Sequence, residues 1–138
     1  MVQRAMTDEA ILRCFPVMSE LRPHLVKAEF VEQVRSQEKD GFKLAFLEKA
    51  DEVVAVTGYR FMRNLAWGYF CYIDDLVTAA PWQGKGCGQE VLEWLFRQAS
   101  ELGCDQVHLD SGLKRVGAHA FYENQGMLHT SKHFAFRL

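Results

Sequence analysis

The 138-residue sequence has no apolar run long enough to cross a membrane. The longest nearly unbroken one, Leu65 to Ile73, spans nine residues, against the ~20 a spanning helix needs. Arg4, Asp8, Glu9 and Arg13 break up the first residues, so no secretory leader is expected. No charge sign dominates: 16 Lys and Arg against 18 Asp and Glu leave −2, with a pI near 6.2. That balance removes the electrostatic case for a nucleic-acid partner. There is no CxxC pair; Cys14, Cys71, Cys87 and Cys104 stand 57, 16 and 17 residues apart. This spacing argues against zinc and a disulfide framework, and for reduced cysteines in a cytoplasmic setting. Internal repeats, low-complexity stretches and linkers rich in Pro, Gly or Ser are also missing.

What is present is the balance of an ordinary soluble globular protein, 49% hydrophobic and 25% charged. The length suits one domain over residues 1–138, burying roughly 65–70% of its unfolded surface. Val2 to Met6 alternates weakly as a first strand. Thr7 then predicts a cap opening a helix through about Phe15, which Pro16 interrupts. Leu25, Ala28, Val31 and Val34 mark a second amphipathic helix ending before Gly41. Phe42–Lys49 and Val53–Met62, flanking Ala50-Asp51-Glu52, read as a hairpin, and Trp67–Thr78 as a long interior strand. Val91, Leu92, Leu95, Ala99 and Leu102 keep helical spacing up to Gly103. Gln106–Asp110 follows as a strand, Val116–Asn124 as a helix, and Met127–Leu138 as a last strand. The order is β-α-α-β-β-β-α-β-α-β. This is an α+β (mixed α/β) chain whose mostly antiparallel sheet holds one parallel βαβ crossover, from Tyr69 to Asp110.

Between that interior strand and the next helix lies Gln83-Gly84-Lys85-Gly86-Cys87-Gly88. Alternate glycines let backbone N–H groups converge on one spot, and the helix start adds a positive dipole end. The natural guest is a phosphate or pyrophosphate, with Lys85 adding a charge. A GxGxxG fingerprint fails because Gln89 stands at its last glycine, and a Walker loop fails because Gly86 follows Lys85.

The segment resembles the Gln/Arg-x-x-Gly-x-Gly/Ala motif of the GNAT superfamily of N-acetyltransferases. The strand Tyr72-Ile73-Asp74-Asp75-Leu76-Val77-Thr78 before it and Phe121-Tyr122-Glu123-Asn124-Gln125-Gly126-Met127 after it are similar to that family's segments too. The resemblance implies acetyl-coenzyme A as co-substrate, with no metal. It implies the pyrophosphate on Gln83, Gly84, Lys85, Gly86, Cys87 and Gly88, and the pantetheine arm along Leu76, Val77 and Thr78. It further implies two central strands splayed to admit the coenzyme, a small-molecule or protein amine as acceptor, and a chain able to form a homodimer. The activity implied is acetyl transfer to a primary amine by direct attack in a ternary complex. A second reading keeps the fold and loop as a non-catalytic acyl-coenzyme A binding module.

Amine acetylation needs a proton acceptor for the ammonium and a donor for the leaving thiolate. Asp74 and Asp75 end a buried strand, where alternation predicts opposite faces. Asp74, nine residues before Gln83, resembles the acidic site of polyamine-type members and is the first choice of base, with Asp75 second. Tyr122 resembles the family's tyrosine that faces the coenzyme sulfur. Seven residues before it, Arg115 replaces the common Asn; its planar fork can hold a phosphate or a substrate carboxylate. Asp110, Ser111, Arg115, His119 and His133 form a late polar group that offers alternative bases or a structural network. His129 and His133, four apart on an expected strand, stand ~13 Å apart, too far to share a metal.

Overall fold

The computed structural model describes all 138 residues and divides into two compact units, Met1–His108 and Leu109–Leu138. Its order is β1 (Val2–Arg4), α1 (Asp8–Leu21), α2 (Lys27–Glu38), β2 (Lys43–Lys49), β3 (Glu52–Asn64), β4 (Gly68–Thr78), α3 (Cys87–Glu101), β5 (Gln106–Leu109) and α4 (Val116–Asn124). The strands lie in sequence order, β1-β2-β3-β4-β5, with antiparallel pairing from β1 through β4. No helix is long and apolar enough to cross a membrane.

Thr7 caps α1, its hydroxyl accepting from the Ala10 N–H at 3.1 Å. Asp8 and Glu9 sit in the first turn at the positive dipole end. The helix does not stop at Pro16 as the sequence predicts; it runs through it to Leu21. Proline removes one i→i−4 bond, but Ile11, Cys14, Val17 and Met18 bury themselves on both sides of it, and that burial holds the helix together. Arg35 on α2 ties the helices, donating to Asp8 Oδ1 at 2.8 and 3.0 Å, Glu38 Oε1 at 3.0 Å and the Met6 carbonyl at 3.0 Å.

The β2–β3 hairpin closes at Ala50 and Asp51, both with positive φ (52° and 62°), the conformation matching the strand twist. β3 faces two layers by alternation. Val56 joins Ile11, Cys14, Phe30 and Phe46 in a cluster under α1 and α2, while Tyr59 meets Trp94 of α3 edge-on at 5.8 Å. Cys14, Cys71 and Cys87 are buried, Cys104 is half-buried, and none is in a disulfide.

In the second unit, α4 forms where helical spacing predicted it, but residues 127–138 adopt neither helix nor strand. The expected last strand is therefore absent. Alternation of Phe134 and Phe136 specifies a face, yet a strand also needs a neighbour for its backbone groups. Both phenylalanines stand exposed, at 87% and 88%.

Candidate active site

β4 carries the first group of candidate residues, and its pairing with β3 slips there. Gly58 is opposite Asp75 and Tyr59 is opposite Ile73, leaving Asp74 as the extra residue of a β-bulge. The bulge breaks alternation, so the expectation of opposite faces for Asp74 and Asp75 does not hold. Both line one cleft of about 450 Å³, bounded by α1, α2 and β4. Thr57, the one buried polar residue, secures the bulge by donating its hydroxyl proton to the Asp75 carbonyl at 2.8 Å. Gly58 is required on the facing strand. A β-carbon there would sit 2.5 Å from Asp75 Oδ2 and 2.5 Å from the Phe42 ring.

Each carboxylate is held by one arginine. Arg22, just past the end of α1, donates Nε to Asp75 Oδ1 at 2.9 Å and Nη2 to the Asp74 carbonyl at 3.0 Å. Arg60 donates Nε to Asp74 Oδ2 at 2.9 Å and Nη2 to Gln37 Oε1 at 3.0 Å, its guanidinium 5.3 Å from the Phe42 ring centre. Burial pushes the Asp75 carboxyl above its usual range, against the pull of the Arg22 hydrogen bond and charge. Sequence reasoning missed both arginines, because partners 14 and 53 residues distant leave no spacing signal. Gly58 did offer a sign, since a glycine inside a strand marks a bulge or a close approach.

The glycine loop forms the second group. Gly84 and Gly86 take φ of 75° and 83°, the left-handed region closed to most side chains, while open space surrounds both. Their glycines therefore serve the backbone path rather than a tight fit. Gly86 is the N-cap of α3, and no side chain caps that helix, so Cys87 and Gly88 start it with their N–H groups uncovered by a capping side chain. Gln83 folds back, donating Nε2 to the Thr78 carbonyl at 3.4 Å, and Lys85 Nζ lies 5.2 Å from the Trp82 ring centre. Leu76 is buried, and Val77 and Thr78 are half-buried on the strand leading in. An uncapped helix start, left-handed glycines and a lysine suit a pyrophosphate.

The third group lies within the second unit. Tyr122 is half-buried on α4, and burial raises its phenol pKa against the pull of Arg115. That phenol stays protonated at neutral pH and can donate a proton. Arg115 occupies the N-cap position of α4, and its carbonyl accepts from the His119 N–H. The late polar group is paired only in part. His119 Nε2 lies 2.7 Å from the Gly112 carbonyl and His133 Nδ1 lies 3.4 Å from Asp110 Oδ1, while Ser111 Oγ is buried without a partner.

Comparison with known proteins identifies the family and the fold. The profile of the acetyltransferase (GNAT) family matches residues 5–127. An uncharacterized N-acetyltransferase, YhdJ, of Bacillus subtilis is 32% identical over 124 residues, 89% of this chain and 87% of that protein. An aminoalkylphosphonate N-acetyltransferase of Salmonella typhimurium is 33% identical over 64 residues, 46% of this chain and 40% of that protein. Among solved structures, an aminoglycoside N-acetyltransferase in complex with CoA superposes with a TM-score of 0.88, covering 100% of this chain and 93% of that one at 8% identity. The match over 123 of 138 residues, both compact units included, settles the family: the chain belongs to the GNAT acetyltransferases.

Proposed function

We propose that residues 1–138 act as one domain that moves an acetyl group from acetyl-coenzyme A to a primary amine by direct attack in a ternary complex. The observation that carries this reading is the carboxylate pair. Asp74 and Asp75 share one cleft on the strand that precedes the glycine loop, with one 3-10 turn, Ala80–Trp82, between strand and loop. The loop from Gln83 to Gly88 would hold the coenzyme pyrophosphate, and Leu76, Val77 and Thr78 would flank its pantetheine arm. The coenzyme supplies the activated thioester.

Asp74 would anchor the ammonium, and Asp75, whose pKa burial raises, would take its proton. The free amine would form the C–N bond as the C–S bond breaks, Tyr122 would give its phenolic proton to the departing sulfur, and the second proton shed by the acetylated nitrogen would restore the phenol. The resemblance to polyamine-type members favoured Asp74 as the base; burial shifts the argument to Asp75. Arg115 is proposed as a contact for the coenzyme or for a substrate carboxylate. The cleft size supports a small-molecule acceptor over a protein amine, and four free cysteines support a reducing, cytoplasmic setting.

Tyr122→Phe tests the chemistry, because it removes one proton and keeps the ring. With acetyl-coenzyme A and an accepted amine, kcat should fall roughly 10²-fold while coenzyme binding, read by calorimetry, stays within a few-fold. Unchanged kcat with chemistry rate-limiting would return Tyr122 to packing. A wild-type chain that binds acetyl-coenzyme A yet acetylates no amine would instead be a binding module.

A further inference from the structure

We infer that the cleft takes a zwitterionic acceptor, a short aliphatic primary amine whose other end carries a carboxylate or phosphonate. The inference rests on the acetyltransferase reading and adds the class of acceptor. It follows from how the charges around the cleft are already spent against one another. Asp74 and Asp75 face a matched pair of arginines, Arg60 and Arg22, each at 2.9 Å. A polycation would therefore meet no net negative field, since the two carboxylates are balanced before it arrives.

Each partner nevertheless keeps capacity for a ligand of the opposite sign. Asp74 Oδ1 and Asp75 Oδ2 take no part in the arginine hydrogen bonds, and both residues line the cleft. They form a station for an ammonium. Arg22 commits Nε and Nη2 to β4, leaving Nη1 uncommitted, and its side chain is 42% exposed against 13% for Asp75. Nη1 with the second Nη2 hydrogen is thus the edge of the fork left for a ligand, suited to a carboxylate or phosphonate. The two stations touch, because Arg22 Nε lies 2.9 Å from Asp75. The charges of the acceptor must therefore be joined by a short chain. Met18, Leu25, Phe30 and Val34 give that chain an apolar wall.

The test uses four primary amines of similar length with acetyl-coenzyme A: γ-aminobutyrate, aminopropylphosphonate, butylamine and diaminobutane. For the wild type, kcat/KM for the better zwitterion should exceed that for butylamine and for diaminobutane by roughly 10-fold or more. The preferred zwitterion then identifies the anion. Arg22→Gln should collapse that ratio toward one, and Arg22→Lys, which keeps charge without the fork, should restore part of it. Equal use of butylamine or diaminobutane overturns the zwitterion and leaves the acetyltransferase reading standing. So does a ratio that Arg22→Gln leaves intact. If none of the four is acetylated, calorimetry decides. Acetyl-coenzyme A binding without zwitterion binding to the coenzyme A complex overturns this inference, and failure to bind acetyl-coenzyme A overturns both.

Discussion

At Asp75, burial and Arg22 pull the carboxyl in opposite directions, and burial is the larger effect. The folded-state pKa therefore lies above the ordinary value of 3.8. A group raised in this way favours the fold while protonated, below its unfolded pKa, and that contribution is lost as pH rises through the folded value. Asp75→Asn is neutral throughout and escapes this loss, while Arg22, nearly half exposed, can be solvated by water instead. The variant should gain stability relative to the wild type as pH rises from about 3.8 through the folded value, and then level off. Urea midpoints of both proteins from about pH 3 to about pH 7 measure the trend. A variant that loses ground over the same range would show that the arginine pair outweighs burial. The raised pKa also bears on chemistry, since a carboxyl nearer the working pH is the better proton acceptor.

At the scale of the element, β4 gains its character from one residue too many. The bulge at Asp74 turns two neighbouring carboxylates into one cleft, and Gly58 on β3 leaves room for the second of them. Gly58→Ala places a β-carbon 2.5 Å from both Asp75 Oδ2 and the Phe42 ring, so ring and carboxylate must shift. We expect a stability loss of about 1–3 kcal/mol together with a fall in kcat/KM, read by chemical denaturation and steady-state kinetics. Wild-type values on both would mean the pocket yields at no cost. Most elements were legible in the sequence because their signals are local: the Thr7 cap, the spacing along α3, the hairpin, the glycine loop. The face of Asp75 was not, because register depends on a partner strand that no local pattern encodes. Arg22 and Arg60 escaped for the same reason, reaching β4 from distant parts of the chain. Pro16 misled in the other direction, since its local cost is outweighed by tertiary burial. The tail's alternation promised a strand without a strand to pair with.

For the whole molecule, a ligand that binds only the folded chain stabilises every part of it that unfolds together. Acetyl-coenzyme A at about 100 times its dissociation constant should add about 2.7 kcal/mol. For a chain of this size that raises Tm on the order of 10 °C in a thermal-shift scan. Gly86→Asp puts both a side chain and a negative charge at a left-handed position in the phosphate loop, and it should lose this rise. A Gly86→Asp variant that keeps the full rise would take the loop out of the coenzyme site. The buried cysteines have a bearing on how turnover can be watched. Burial pushes the Cys14 and Cys71 thiols up to about 12, which leaves almost no thiolate at neutral pH. Cys87 is buried as well, and the Cys104 thiol, half-buried, is also raised. A colorimetric disulfide reagent mixed with the working protein would thus meet a nearly silent background, and its signal would report the coenzyme thiol released at each transfer.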